Sequence, residues 1–379
     1  MDNIAGKKAG LTWAIHISVV VLVALWLFPT LGLFVSSFRT ADQISGSGWW
    51  AALSTQERQL PAARLAGDEV IIDGRYVISG ELFPNTSALV SAWGISAREP
   101  EANVPGDTVA LEGEVRLLID EEGRFVLSGP DSFEGQRLPR VFSTAAAPPE
   151  FTLANYERVL FTGTADAGVG NALLNTATVA IPATVIPILI AAFAAYALAW
   201  MDFPGRALLV ALVVALLVVP LQLALIPLLQ LHNTIGIGKG YIGTWLAHTG
   251  FGMPLAIYLL RNYMVGLPRD IIESAKVDGA TDFQVFTKIV LPLSFPALAA
   301  FAIFQFLWTW NDLLVALVFL GTDDRTLVLT GRLVNLMGSR GGDWEILATS
   351  AFVSIAVPLV VFFTMQRYLV RGLLAGSVK

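Results

Sequence analysis

Six apolar stretches govern what this chain can become. A bilayer's hydrocarbon core is about 30 Å thick, and an α-helix needs roughly 20 predominantly apolar residues to cross it. Stretches that approach or exceed this length run from Trp13 to Phe38, Leu173 to Trp200, Leu208 to Leu231, Ile242 to Tyr263, Ala297 to Leu320 and Leu347 to Leu369. The fourth is the weakest, because it holds His248, glycines and Pro254. Prolines inside the others (Pro182, Pro187, Pro220, Pro227, Pro358) do not exclude a span, since neighbouring helices can satisfy the freed backbone groups. Charged residues make up only 14% of the chain, against about 25% in soluble domains. The expected fold is therefore an all-α polytopic membrane protein with six transmembrane helices, and an ordinary soluble enzyme is excluded.

Short loops set the expected orientation. With the N-terminus inside, the cytoplasmic side holds Lys7, Lys8, Arg206, Arg261, Arg269, Lys276, Lys288, Arg367, Arg371 and Lys379. The short outer loops hold Lys239, Arg325, Arg332 and Arg340, which satisfies the positive-inside rule and places both termini in the cytoplasm. The first stretch follows Lys7-Lys8 as a signal peptide would, but it is long and no small-x-small cleavage site follows, so an uncleaved first span is expected. The chain has no cysteine, and its three histidines lie far apart, which excludes disulfides, thiolate sites and any local histidine metal motif. A net charge of -6 argues against a nucleic-acid partner.

Between the first and second stretches lies a polar segment, residues 39–172, long enough for a small domain. From Arg39 to Arg158 it carries 18 acidic residues, ten arginines and no lysine. Apolar residues alternate at Val109, Leu111, Val115, Leu117 and Ile119. The turn Asp120-Glu121-Glu122-Gly123 then leads into Arg124 to Leu127, the pattern of a β-hairpin. A second hairpin is expected where Asp73-Gly74 joins Val70–Ile72 to Tyr76–Ile78. The segment thus reads as a β-rich extracytoplasmic insert, a small barrel or sandwich, serving either as a spacer or as a docking surface. The chain divides into residues 1–38 (N-terminus and first span), 39–172 (insert and linker) and 173–379 (five spans), with a cytoplasmic loop at 264–292.

That loop is the most informative part of the chain. Pro268 suits a helix's first turn, Asp270 and Glu273 suit its positive end, and Gly279 suits its stop. A short helix, a glycine turn and a second helix re-entering the membrane near Pro292 are expected. Ile271, Ile272, Ala275 and Val277 make the short helix amphipathic, so it either lies on lipid headgroups or packs into a protein groove. Four bases against four acids in the loop favour the groove.

At these residues the sequence resembles a known family. Glu273-Ser274-Ala275, Gly279 and Ile289-x-Leu291-Pro292 are similar to the Glu-Ala-Ala loop of binding-protein-dependent ABC importer permeases, with Ser274 in place of the usual second-position alanine. Asn175-Thr176 stands where that family often has Asn-Ser, and the likeness runs from about Asn171 to Arg371. The resemblance implies a type I ABC importer permease core in which the short helix couples to a separate ATPase. Carried over position by position, Glu273, Ser274 and Ala275 form the coupling helix, Gly279 the turn, and Asp278 and Ala280 its flanks. It further implies a second permease subunit, an ATPase dimer that binds ATP and Mg, an extracytoplasmic sugar-binding protein, and a bacterial inner-membrane location. The chain itself lacks Gly-x-x-x-x-Gly-Lys-Ser/Thr, so ATP hydrolysis is expected from another subunit; the resemblance implies a permease that binds no cofactor of its own and is not an enzyme.

The fifth stretch contains Gln305, Trp308, Asn311 and Asp312. A membrane carboxylate faces the bundle interior or a pathway. Gln305, Trp308 and Asp312, spaced i, i+3, i+7, share one helix face with Phe301. Aromatic rings beside amide and carboxylate groups suit a sugar, although a satisfied helix-packing cluster explains the same residues. Gln222 and Tyr258 are weaker pathway candidates, because lone polar residues often only bridge helices. The Trp-Asn-Asp run and the insert after the first span look like the α-glucoside branch of the maltose-type carbohydrate permeases. Two other readings stay open: a proton-coupled secondary transporter using Asp312, and a membrane-anchored assembly protein whose active part is the insert.

Overall fold

A helix of 32 residues, α1 (Ala5–Ser36), begins the computed structural model, which describes residues 5–84, 88–161, 168–339 and 343–375. Arg340 and Lys379 of the charge argument lie outside these residues. The chain separates into two units, residues 1–153 and 154–379.

In the first unit α1 and the short α2 (Ala41–Gly46) precede eight strands. These are β1 (Gln56–Arg64), β2 (Glu69–Ile72), β3 (Arg75–Glu81), β4 (Leu89–Gly94), β5 (Thr108–Ala110), β6 (Arg116–Ile119), β7 (Arg124–Gly129) and β8 (Arg140–Ala147). They form a three-stranded sheet, β1-β8-β4, and a five-stranded sheet, β2-β3-β7-β6-β5. Alternate side chains from both sheets, among them Ile78, Val90, Trp93, Leu117, Ile119, Phe125, Leu127 and Val141, meet in one core. The turn chemistry works as expected. Asp73 and Gly74 adopt φ of +50° and +79°, as a type I′ turn requires, and pair Ile72 with Arg75. Asp120 accepts from the backbone N–H of Glu122 and Arg124 at 3.0 and 2.8 Å, which pairs Ile119 with Phe125. One expectation changes: the alternating run from Val109 to Ile119 is not a single strand. Gly113 and Glu114, with φ of +70° and +63°, fold it back so that β5 pairs with β6.

The second unit begins with α3 (Ala154–Leu160) and α4 (Val169–Trp200). Val159 on α3 packs with Val169, Ala172 and Ala180 on α4. There follow α5 (Arg206–Leu216), α6 (Leu221–Thr234), α7 (Tyr241–Val265), α8 (Arg269–Val277) and α9 (Asp282–Val285). A π-turn, Phe286–Val290, leads through α10 (Leu291–Leu293) into α11 (Phe295–Trp310), and α12 (Leu314–Phe319), α13 (Leu329–Ser339) and α14 (Trp344–Ala375) complete the unit.

Among the described residues three helices are long and apolar enough to cross a bilayer, within Gly10–Ser36, Val169–Trp200 and Trp344–Tyr368, or five if two bent pairs each count as one. The fourth sequence stretch, α7, is not among them. The third expected span is broken: α5 and α6 meet at a bend of 109°. Pro220 has no N–H to continue the ladder and disfavours helical geometry at Val219 before it. The fifth follows a bend of 69° before Phe295 and ends early, at Trp310, with α12 starting afresh.

Candidate functional site

The loop at 264–292 has the expected plan of helix, glycine turn and second helix. Gly279 adopts φ of +84° with open space around an added Cβ, so its role is conformational. Thr281 caps α9: its hydroxyl accepts from Gln284 N–H while the Gln284 side chain accepts from Thr281 N–H at 2.9 Å. The apolar residues of α8 divide between a packed side and an exposed one. Ile272 is buried with Leu260, Met264, Val285 and Phe286, and Ala275 and Ala280 pack on the same cluster. Ile271, Glu273, Ser274, Val277 and Asp278 are exposed, Val277 at 87%. The Ser274 hydroxyl returns to the Asp270 carbonyl at 2.7 Å, so the serine is accommodated within the helix where alanine is usual. An apolar residue as exposed as Val277 beside charged ones is a surface suited to a protein groove.

The second candidate region lies around α11. A cavity of about 580 Å³ is bounded by the α5–α6 bend, α7 and α11, with Leu217, Leu221, Phe251, Pro254, Phe304 and Trp308 in its wall. No charged side chain lines it among the described residues. Trp308 is the one residue of the expected pathway set in that wall. Gln305 is buried, donating from Nε2 to the Ala183 carbonyl on α4 at 3.2 Å and lying against Gly252 of α7. Asn311 closes α11 by donating to the Leu307 carbonyl at 2.8 Å.

Asp312 falls past the end of α11, so the i, i+3, i+7 face does not extend to it. Its carboxylate instead caps α12, accepting from the N–H of Val315 at 2.9 Å and of Ala316 at 3.3 Å, with His248 Nε2 3.9 Å away. Gln222 and Tyr258 are exposed and line no part of the cavity. Gln305 thus links α11 to α4, Asn311 and Asp312 end α11 and cap α12, and the cavity is walled by apolar and aromatic groups. Phe304, one turn before Trp308 with ring centroids 6.5 Å apart, was detectable from i, i+4 aromatic spacing alone. Phe251 carried no such signal.

A third cluster surrounds Asn175, the first residue of the family-like Asn-Thr pair. Its amide donates to the carbonyls of Arg325 and Leu327 at 2.8 and 3.1 Å and accepts from the Tyr241 hydroxyl at 2.8 Å. Thr176 accepts from Leu329 N–H at 2.8 Å. The pair therefore ties α4 to the start of α7 and to the segment before α13.

A family model described as a binding-protein-dependent transport system inner membrane component matches residues 175–374. The chain is 62% identical over 379 residues to the alpha-glucoside transport system permease protein AglG of Rhizobium meliloti (strain 1021), covering 98% of each. It is 59% identical over 230 residues to the osmoprotective compounds uptake permease protein GgtD of Synechocystis sp., covering 61% of this chain and 76% of that one. Among solved structures, a chain of a bacterial ABC transporter involved in import of the acidic polysaccharide alginate aligns over 97% of this chain and 99% of its own, with a TM-score of 0.57 and 16% identity, a likeness of fold.

Proposed function

The chain belongs to the binding-protein-dependent transport system inner membrane components, and from that membership we propose that it is the permease subunit of an ATP-driven ABC importer for α-glucosides. The observation that carries the substrate class is the full-length 62% identity to an α-glucoside permease. The chain is a transporter subunit rather than an enzyme, and ATP and Mg act on a separate ATPase. We take the topology as six spans, with both broken pairs and α7 counted, both termini in the cytoplasm, and residues 39–172 outside. A second permease subunit, an ATPase dimer and an extracytoplasmic sugar-binding protein complete the importer. The exposed side of α8, with Glu273, Ser274 and Asp278, meets the ATPase, while Ala275, Gly279 and Ala280 shape the turn beneath it.

The translocation path runs past the cavity wall. Phe251, Phe304 and Trp308 cover the apolar C–H faces of a sugar ring, and Gln305, Asn311 and Asp312 act behind them by holding α11 and α12 in place. Sugar hydroxyls then need partners from the facing subunit. Gln222 and Tyr258, both exposed, are available to that subunit. Neither relatives nor fold lend support to a proton-coupled carrier built on Asp312 or to an assembly protein.

The test is purification of the tagged chain from its native membrane, identification of the chains that accompany it, and titration of their ATPase activity with maltose, trehalose and sucrose. Co-purifying ATPase stimulated by one of these sugars is expected; an assembly without ATPase would sink the assignment. Trp308→Ala should lower uptake by about 2 kcal/mol of transition-state stabilisation, roughly thirtyfold, if the indole meets sugar. Unchanged uptake would return Trp308 to helix packing.

A further inference from the structure

The last turns of α4 hold both ends of the segment that carries α8. At the entry, Trp200 Nε1 donates to the Met264 carbonyl at 3.1 Å. At the exit, the Tyr196 hydroxyl donates to Asp282 Oδ1 at 3.2 Å. Tyr196 and Trp200 stand one turn apart and so project from one face of α4. The same Asp282 oxygen lies 3.1 Å from Lys276 Nζ, in the last turn of α8.

The contacts beneath α8 differ in kind from these. Ile272, Ala275 and Ala280 pack on an apolar cluster, and apolar contact has no preferred direction, so it allows a helix to slide. The Lys276–Asp282 pair is half exposed, and such pairs hold weakly on their own. Tyr196 is only 5% exposed, with its ring 5.2 Å from Phe286, and its bond to a carboxylate is charge-assisted and directional. From Tyr196 the path along α4 reaches the Ala183 carbonyl, which accepts from Gln305 at 3.2 Å. Gln305 sits one turn from Trp308 in the cavity wall.

We propose that Tyr196 is a positioning residue for energy coupling, converting displacement of α8 into displacement of α4 through Asp282 and, by way of Gln305, into movement of the cavity wall. The proposal rests on α8 being the ATPase-docking helix, and its test must separate the two ideas. The chain has no cysteine, so a single introduced thiol is the one label site on it once its band is separated from those of its partners. Phe304→Cys, on the exposed side of α11, reports movement of that helix through its maleimide labelling rate in the whole complex, with and without ATP and vanadate. In the otherwise unaltered complex, ATP-vanadate should change this rate. Adding Tyr196→Phe keeps the ring against Phe286 and removes only the hydroxyl; the ATP-dependent change should then shrink roughly fivefold or more, the lower end of ordinary allosteric coupling.

Asp282→Ala should do the same, and the double variant should add nothing to either single one. An ATP response of full size in Tyr196→Phe, or additive effects in the double variant, would overturn the proposal. In parallel, Val277→Cys should cross-link α8 to the ATPase. Cross-linking with an unaltered Tyr196→Phe response removes the Tyr196 relay and leaves the docking helix standing. Absence of cross-linking, together with no ATP response at Phe304→Cys, removes both.

Discussion

The stranded region, residues 56–147, and the helical unit, residues 154–379, solve one problem in opposite ways. In the strands, Trp93, Leu117, Ile119 and Leu127 are fully buried and the backbone pairs between strands. That is the economy of a chain in water, where apolar surface is driven inward. In the helices large apolar groups such as Leu208, Leu212 and Leu223 point outward, and the interior holds Thr176, Thr184, Thr244, His248, Thr349 and Ser350. Some of the buried hydroxyls are satisfied within their own helix: Thr176 donates to the Ala172 carbonyl at 2.8 Å and Thr184 to the Ala180 carbonyl at 2.7 Å. Close approach comes from small residues, with Ala180, Ala183, Ala191, Ala192 and Ala195 buried along α4. Where lipid is the solvent, burial of leucine gains nothing over lipid contact, and tight backbone packing takes its place.

The contrast can be broken most forcefully at Trp93. Trp93→Ala empties a fully buried site and removes the indole's bond to the Val104 carbonyl, at 3.3 Å, so it should cost about 3–5 kcal/mol. Hydrogen exchange on the intact chain should accelerate in β1–β8 and stay unchanged in α4, α7 and α11. Equal acceleration in both units would erase the distinction between them. A smaller effect tests what the two regions have in common. Gly74 and Gly279 both have positive φ, +79° and +84°, and both have open space around an added Cβ. Alanine at either should cost about 1 kcal/mol of backbone strain. At position 74 the cost should appear as faster exchange in β2 and β3, and at 279 as roughly fivefold weaker ATPase binding. A much larger loss at 279 would mean that the ATPase touches the turn itself.

The smallest effect concerns acid. Burial raises the Asp120 carboxyl, but hydrogen bonds from the Arg124 side chain and backbone outweigh it and hold the group below its ordinary value of 3.8. Its folded pKa is depressed, so its stabilisation is full above that ordinary value and is lost as pH falls through the folded pKa. Asp120→Asn should flatten the acid limb of β6–β7 stability and leave the helices' acid response unaltered, as read by exchange at a series of pH values.

Legibility in the sequence followed the range of the interaction. The hairpins at Asp73-Gly74 and Asp120–Gly123, and the α8–Gly279–α9 plan, rest on neighbours a few residues apart, and each was readable. The breaks at Pro220 and after Trp310 were not, because a run of apolar residues reports solvent preference and is silent about the direction of the backbone. Asp312 could be read as a lining carboxylate only while α11 was taken to continue through it. As a helix cap, it is defined by where the next helix starts. Tyr196 with Asp282, and Asn175 with Tyr241 and Arg325, join residues far apart in the chain, and no local pattern announces them.

Gly252 and Gln305 carry one further consequence, for descent. A Cβ at Gly252 would come within 2.7 Å of the Gln305 amide, which is itself held to α4, so residue 252 has no room to grow while glutamine stands at 305. Alanine at 252 is open only to a chain that has first shortened residue 305, and that chain has already given up its link to Ala183. Across the lineages that inherit this fold, a residue larger than glycine at 252 should therefore appear only where 305 is already shorter than glutamine.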